Sequence, residues 1–564
     1  MRSAMTIKLL HKKETLILMG VVALGALLRI VALSYESLRL DEAQSVWQAS
    51  HSTEFIRLYM LKNVHLPLHN TMLHGWIRLF GAGELAVRFL SVIFGVLSLP
   101  ALYFLARKFL NRQWALFTVF IGAIAPFWIW YSREIRMYSM LTFIVTLSYL
   151  LFIKILEEPR RRWYVLYTLV NLVGIYTHYF FLHVLLVQAI FFFLTWKIPW
   201  DRSRPTNIPK KTEFLRLLFI AFILFLSFLP WIIGLFMYHG SGTYGPSLTR
   251  PRGFNMILTL FEAMLGYHPD AITTILIALW PIAILLAFAF LAKRNPFSPK
   301  VGFLMLGVVV PIVLTFFVSY FVIPMYLSRY LIVITPFLYI FLAWFASALT
   351  GKTKPIFIGS LVALIAGALL LQYFHPESPA RENYRDAVKF VSERATAYDA
   401  VVISPPYLIY PFEYYYRGNG TVFTVPIWDK RKGGIPTITA DGVKKDVNTI
   451  QLYHKKLYLL LATDLYGAME VKAAFDNSFR KLEKRQFSRT VWVHVYDGYF
   501  GNDEEVPLGA PSDGIYTIVK GDTLYEIAGR FELDPQAYTV LIQLNAIANP
   551  NLIHEGASLK IPGL

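Results

Sequence analysis

The sequence predicts a polytopic α-helical membrane protein whose C-terminal third is soluble. Three observations predict it. Apolar runs of about 20 residues, the length at which a helix spans a bilayer, recur down the first two thirds of the chain. Of 564 residues, 56% are hydrophobic and only 16% charged, against roughly 25% charged in an average soluble domain. The composition then turns polar abruptly after His375.

The apolar runs lie near 15–34, 84–106, 114–131, 139–156, 163–180, 182–196, 214–236, 270–291, 301–322, 330–349 and 356–374, so about 11 transmembrane helices are expected. Segments 67–80 and 255–268 are apolar but short, and read as interfacial or re-entrant helices. No small-residue cleavage site follows the first run, which therefore reads as an anchor rather than a removed signal peptide. Basic clusters occupy alternate connections: Arg2, Lys8, Lys12 and Lys13; Arg107, Lys108 and Arg112; Arg160, Arg161 and Arg162; Lys197, Arg202, Arg204, Lys210 and Lys211; Lys293, Arg294 and Lys300; Lys352 and Lys354. With eleven spans they all fall on one side, which places the N-terminus in the cytoplasm and everything after His375 outside.

The formal net charge of +18 raises a nucleic-acid reading, and its distribution removes it. Residues 1–375 hold 33 Lys+Arg against 13 Asp+Glu, and residues 376–564 hold 21 against 23. The basic excess sits in loops between apolar runs, not along a groove. The absence of cysteine excludes disulfides, thiolate metal sites, iron–sulfur clusters and a cysteine nucleophile.

Four segments follow from these shifts: a membrane domain over 1–375, a small α/β domain over 376–500, a linker over 501–514 rich in Gly, Pro and acid, and a terminal module over 515–564. Residues 381–396 place Tyr384, Val388 and Val391 on one face of an amphipathic helix. Ala400–Ile403 is an apolar strand, and strand-like runs at 457–461 and 491–495 flank a helical stretch near 466–480. In the terminal module, Tyr516-Thr517-Ile518-Val519 is a strand and Lys520-Gly521-Asp522-Thr523-Leu524 turns into a helix that Asp522 or Thr523 can cap. A second helix leads to Leu544-Asn545, then Asn549-Pro550-Asn551-Leu552-Ile553, then a strand at 558–561. This closely resembles a LysM module, a βααβ unit. The resemblance implies binding of glycans that contain N-acetylglucosamine, such as peptidoglycan. Its groove would lie between the two loops that hold Gly521, Asp522, Thr523 and Leu524 on one side and Asn549, Pro550, Asn551, Leu552 and Ile553 on the other. The plainer alternative is that these residues only cap helices and close turns.

In the membrane part, acids are rare. Asp41 and Glu42 are adjacent, just after the first span, where burial of charge is costly and points to function; a solvated pair terminating a helix is the alternative. The loop continues through His65-Leu66-Pro67-Leu68-His69. After the third span comes Tyr131-Ser132-Arg133-Glu134-Ile135-Arg136-Met137-Tyr138, where helical spacing would put Arg133 and Arg136 on one face and Glu134 and Tyr138 on another. Guanidinium groups beside tyrosines suit a phosphate, since their donors match its oxygens. Arg329-Tyr330 repeats the pair on the same side. An anchoring belt of Arg and Tyr at the membrane boundary is the bland alternative.

The ordered set LDEA, HLPLHNTMLHGWIRLFG, ELAVRFLSVIFG, APFWIWYSREIRMYSM, YTHYF and SRYLIVITPF resembles the bacterial branch of glycosyltransferase family 39, related to protein O-mannosyltransferases and aminoarabinose transferases of the GT-C fold. It covers roughly residues 15–375. Leu66 departs from the pattern, because relatives commonly carry a second proline after the histidine. The resemblance implies a transferase that takes a sugar from a polyprenyl-phosphate carrier at the outer leaflet. Asp41 would be the general base on the acceptor hydroxyl, and Glu42 would orient the acceptor or help bind a cation. Arg133, Arg136 and Arg329 would stabilise charge on the phosphate leaving group, with Tyr138 and Tyr330 as hydrogen-bond donors.

His65 and His69, four apart, could join Asp41 in a divalent-cation site, although Pro67 disfavours a regular helix between them. Donor-pocket or structural roles are the alternative, and His178 reads as lining the cavity. No phosphate-binding glycine loop or dinucleotide fingerprint occurs, which favours a lipid-linked donor. A wall-binding module would hold such an enzyme beside its acceptor, whether wall polymer, glycolipid or protein. Two other readings stand beside this one: a non-catalytic lipid-glycan transporter, and a wall-binding scaffold with a membrane anchor.

Overall fold

The computed structural model describes residues 2–194, 211–238, 248–268, 298–375, 382–431, 437–451, 454–498, 514–518, 524, 527, 538–547 and 557–561. The chain divides into two compact units, Met1–Glu36 with Asp41–Arg381, and Ser37–Leu40 with Glu382–Leu564.

The first unit is helical. α1 (Arg2–Ile30) is followed by three short helices, α2 (Leu40–Ala49, its first residue counted with the other unit), α3 (Thr53–Lys62) and α4 (Leu68–Phe80). Then come α5 (Glu84–Ala106), α6 (Arg112–Ile124), α7 (Pro126–Arg133), α8 (Tyr138–Glu157), α9 (Arg161–Thr177), α10 (Phe181–Leu194), α11 (Lys211–Tyr238), α12 (Phe254–Leu265) and α13 (Pro299–Phe321). A 3₁₀ turn, Ser328–Ile334, runs into α14 (Thr335–Ala348), and α15 (Thr353–Phe374) closes the unit. Among the described residues six helices are long and apolar enough to cross a membrane, or seven if the bent pair α6–α7 counts as one span. The expected count of eleven is not reproduced. Runs 163–180 and 182–196 fold as α9 and α10, of 17 and 14 residues, and 270–291 lies outside the described residues.

Aromatic stacking ties the centre of the helical unit together. Tyr149 of α8 lies 4.0 Å from Phe337 of α14, and Phe191 of α10 lies 4.1 Å from Phe303 of α13, ring centre to ring centre. Such pairs supply specific geometry where burial alone drives little association between helices in lipid.

The break between α6 and α7 has a local cause. Pro126 has no N–H, so the Gly122 carbonyl loses its i+4 donor, and Ala125 takes an extended conformation, as a residue before proline does. The two helices meet at 54°. Arg29, fully buried on α1, repairs the gap: its guanidinium donates to the carbonyls of Gly122 and Ala123 at 3.2 Å each, to Gly25 O at 2.8 Å and to Ser132 Oγ at 3.1 Å. Gly95 of α5 lies against this cluster, where an added Cβ would overlap the Ser132 side chain.

In the second unit, α16 (Tyr384–Ser392) is capped by Asn383, whose side chain accepts the Asp386 N–H, and it buries Tyr384, Val388 and Val391 as its pattern predicts. β1 (Ala400–Ser404), α17 (Ile409–Tyr415), β2 (Thr421–Thr424), α18 (Ala440–Gln451), β3 (Lys456–Ala462), α19 (Ala468–Ser478), β4 (Arg480–Gln486) and β5 (Val491–Asp497) follow. The sheet order is β2-β1-β3-β5-β4, with β1 parallel to β2 and β3, and β5 antiparallel to β3 and β4. The continuous apolar runs of β1 and β3 suit central strands covered on both faces. β4, with the sequence RKLEKRQ, is exposed along its whole length, a charged edge that resists further pairing. For the same reason its pattern does not announce a strand, and the expected helix near 466–480 ends at Ser478 to make room for it.

The terminal module pairs β6 (Gly514–Thr517) antiparallel with β7 (Ser558–Ile561) and packs α20 (Tyr538–Leu544) on them. Asn545 locks the end of α20 to β7: its Nδ2 donates to Lys560 O at 2.8 Å while its Oδ1 accepts the Lys560 N–H. Linker residues 501–513 lie outside the described residues.

Replacing Arg29 by Met should leave the Gly122 and Ala123 carbonyls buried and unpaired, at a cost of about 2–4 kcal/mol. Thermal unfolding in detergent checks this, and an unchanged Tm would contradict the role assigned to Arg29.

Candidate active site

The site is assembled at the start of α2. Both acids fall in the first turn of this helix, where the positive end of its dipole favours them. Their surroundings differ sharply. Asp41 is one-third exposed, and its Oδ2 lies 3.3 Å from Arg329 Nη1, whose side chain is also one-third exposed. Glu42 is buried and clamped by Arg88 of α5, with Nε to Oε1 at 2.9 Å and Nη2 to Oε2 at 2.7 Å. Arg88 Nη1 also donates to the carbonyls of Leu33 and Glu36 at 2.8 Å each. Glu42 Oε1 further accepts the Ile135 N–H at 3.3 Å. A carboxylate so engaged does not face an acceptor or a cation, so the roles expected of Glu42 give way to a positioning one.

The segment 131–138 is not one helix. α7 ends at Arg133, Glu134 is extended, and α8 begins at Tyr138. The two arginines expected on one face are therefore parted. Arg133 turns to the end of α1, donating to Val31 O at 2.9 Å and Ala32 O at 2.6 Å, with Tyr373 5.1 Å from its guanidinium. Its expected place on the donor phosphate is corrected accordingly. Arg136 turns to α2, where Nη1 donates to Ser45 Oγ at 3.3 Å, and Ser45 donates in turn to the Asp41 carbonyl at 2.9 Å.

Arg136, Arg329 and Tyr138 share a feature. Nε of each arginine and the Tyr138 hydroxyl are buried with no hydrogen-bond partner among the described residues. Buried donors are normally satisfied, and orphans deserve an explanation. Two guanidinium groups and a phenol, one guanidinium paired with Asp41, thus carry donors whose chemistry matches an anion with several oxygens. Aromatic rings surround these groups. His178, at the end of α9, lies 6.0 Å from Tyr138 and 5.3 Å from Tyr330, and the Arg329 guanidinium lies 5.6 Å from the Tyr330 ring. His178 Nδ1 accepts the Phe180 N–H at 3.1 Å, so in the neutral ring the proton is on Nε2. Tyr131 packs on Tyr138 at 4.8 Å and bonds the Tyr267 hydroxyl at 2.6 Å.

His65 and His69 differ in setting. His65 lies in the loop before α4, its backbone N–H donating to Met60 O at 2.9 Å, and its ring is within electrostatic reach of Asp41, Arg136, Arg329 and His178. His69 is buried on α4 with Nδ1 3.1 Å from Asn70 Oδ1, and Asn70 donates to Gln48 Oε1 at 2.5 Å. Burial drives the His69 pKa down to about 4 against the Asn70 hydrogen bond, and the Arg136 charge adds to the fall. The ring is neutral at pH 7. Among the described residues no three His, Asp or Glu side chains converge on a common point that could hold a metal ion, so the cation site considered as a possibility for His65, His69 and Asp41 is not formed among them.

In the terminal module, Gly521, Asp522, Thr523, Asn549, Pro550, Asn551, Leu552 and Ile553 lie outside the described residues. Leu524, expected at the glycan groove, is buried with Ile518, Ile527, Leu541 and Leu559 and fills the module's core instead.

Sequence reasoning missed Arg88, Ser45 and Tyr267. Arg88 carried a usable signal, a charge inside a 23-residue apolar helix. Ser45 and Tyr267 carried none.

Glu42→Gln should leave the Arg88 charge buried without its counter-ion and lower stability by about 3 kcal/mol. A wild-type Tm for this variant in detergent would show that the pair does not hold α2 in place.

Residues 64–231 match the family model described as dolichyl-phosphate-mannose-protein mannosyltransferase, and residues 516–562 match the LysM domain model. The first match contains Arg88, Arg136, Tyr138 and His178, while Asp41 and Arg329 flank it. The chain is similar in structure to ArnT from Cupriavidus metallidurans in the apo state, with TM-score 0.53 and 14% identity over 85% of this chain and 97% of that one. For the same protein bound to undecaprenyl phosphate the TM-score is 0.50, at 14% identity and the same coverage. The secreted LysM effector ECP6 of Passalora fulva is 46% identical over 54 residues, 10% of this chain and 22% of its own length. An uncharacterized protein of Deinococcus radiodurans is 41% identical over 51 residues, 9% of this chain and 20% of its own. The chain thus spans about a fifth of the length of these curated relatives. The helical part has the GT-C fold of ArnT with a mannosyltransferase-family segment at its centre, and the chain ends in a LysM domain.

Proposed function

We propose that this protein is a membrane glycosyltransferase that moves a sugar from a polyprenyl-phosphate donor to a hydroxyl of an extracytoplasmic acceptor, with inversion at the anomeric carbon. One observation carries the reading: the one-third-exposed carboxylate of Asp41 stands 3.3 Å from Arg329, and Arg329, Arg136 and Tyr138 carry buried donors with no acceptor among the described residues. A base and an anion cradle side by side are what displacement of a phosphate by an alcohol requires.

In this mechanism Asp41 takes the acceptor hydroxyl proton as its oxygen bonds to the anomeric carbon. The bond from that carbon to the phosphate oxygen breaks, and the polyprenyl phosphate leaves with the electron pair. Arg136 and Arg329 stabilise the charge that grows on the phosphate, and the Tyr138 hydroxyl donates to it. Arg329 touches both sites and can pass from the carboxylate to the leaving group as the reaction proceeds. Tyr330 and His178 wall the cradle. Glu42 and Arg88 hold the geometry without touching substrate. The undecaprenyl phosphate bound to ArnT, which shares this fold, supports a lipid-phosphate donor.

The LysM domain is read as a binding module for N-acetylglucosamine-containing glycan, which would keep the enzyme beside the wall. This requires the residues after His375 to lie outside and the N-terminus in the cytoplasm, as the basic loops indicate.

Purified protein given labelled polyprenyl-phosphate sugars and wall-derived acceptors should transfer sugar. Asp41→Asn should lower kcat at least about 100-fold with the fold intact. Equal rates in the two proteins would remove Asp41 from catalysis. The full chain in detergent should also co-sediment with peptidoglycan and be released by N-acetylglucosamine oligomers; failure to co-sediment would overturn the tether.

A further inference from the structure

Helix α3 ends in a turn that a valine makes only under strain. Asn63 caps the helix, and Val64 then takes a left-handed backbone at φ 54°. The His65 N–H reaches back to Met60 O at 2.9 Å, and the Val64 N–H faces Leu61 O at 3.5 Å. This is the paired-bond helix ending whose left-handed position is usually glycine. A β-branched residue there is an outlier, and such strain persists only where the surroundings enforce it, often at functional sites. Here they do: the next residue but one, Leu66, is buried in a cluster with Ile56, Met60 and Trp231.

The residue between the strained turn and the buried leucine is His65. Its ring is within electrostatic reach of Asp41 on α2, Arg136 before α8, Arg329 in the 3₁₀ turn and His178 at the end of α9. Burial and the Arg136 charge pull its pKa down to about 4, against the attraction of Asp41. The residue nevertheless stays open to solvent. A group surrounded by protein and still open lines a cavity within it. At pH 7 the imidazole is neutral, with one nitrogen a donor and the other an acceptor.

The proposed base and the proposed phosphate-binding arginines mark the two ends of the reaction, and the sugar ring lies between them. A neutral imidazole within reach of both ends brings no charge to a phosphate. One donor and one acceptor are instead what a sugar hydroxyl pairs with. We propose that His65 is a specificity-determining residue that hydrogen-bonds a hydroxyl of the donor sugar, delivered to that position by the turn at Val64. This deepens, and rests on, the reading of the site as one for a polyprenyl-phosphate sugar.

The test measures binding to the full-length protein in detergent, so it needs no acceptor. The probes are undecaprenyl phosphate and its mannosyl, glucosyl and galactosyl derivatives. Wild type should bind at least one of the three glycosylated lipids about tenfold more tightly than the bare lipid phosphate. His65→Ala should abolish that preference and leave affinity for the bare lipid within about twofold. His65→Asn or His65→Gln, whose amides also carry a donor and an acceptor, should restore part of it. Val64→Gly, at ease in the left-handed turn, should keep the preference. Val64→Pro, which cannot take a positive φ, should lose it with His65 intact.

An undiminished preference in His65→Ala would overturn the proposal. So would an equal loss of affinity for bare and glycosylated lipids, which would make His65 a phosphate ligand or a packing residue. A wild type that binds the bare lipid and gains nothing from any of the three sugars would overturn it as well. A wild type that binds none of the four lipids would overturn the lipid-phosphate donor itself, so the two failures are told apart.

Discussion

The buried ion pair between Glu42 and Arg88 is the constraint on which the candidate site depends. A charge pair inside a protein is held only if its attraction and its additional hydrogen bonds together offset the cost of leaving water. Here both conditions are met. Arg88 makes a two-point bond to the carboxylate and two more to backbone carbonyls, and Glu42 also accepts the Ile135 N–H. One guanidinium and one carboxylate thereby bind the loop after α1, the start of α2 and the turn after α7 to a single long helix. Asp41 is the next residue to Glu42, and Arg136 the next to Ile135. The proposed base and the first arginine of the anion cradle inherit their positions from the same pair.

The arginines of the helical unit divide by what their donors face. Arg29, Arg88 and Arg133 direct theirs to backbone carbonyls that proline, loops or a helix end leave open. Their role is to let an irregular chain exist where water is scarce. Arg136 and Arg329 keep a buried Nε without an acceptor among the described residues, and Arg329 also meets the one-third-exposed Asp41. The rigid planar fork of arginine makes both uses available, and lysine would serve neither as well.

The α/β domain shows a comparable division of labour. Its central strands are plain apolar runs, and its edge strand is charged along its length. What distinguishes it is the short stretch Ser37–Leu40, which completes it from far away in sequence. A buried leucine and a serine at a helix start are ordinary interior features.

Sequence alone determined the class of this protein: a helical membrane body, an α/β sheet region and a LysM domain. Apolar runs, loop charges and ordered motifs are local patterns, and local patterns survive in one dimension. It did not determine which of two adjacent carboxylates is exposed, because Asp41 and Glu42 share a helical turn and differ only in what packs against them. It paired Arg133 with Arg136 by assuming a helix that Glu134 interrupts. It passed over Arg88, whose partner is 46 residues away, and Ser37, whose partners are more than 340 away. Those choices were made by tertiary contacts, because burial and hydrogen-bond satisfaction depend on neighbours that sequence spacing does not specify.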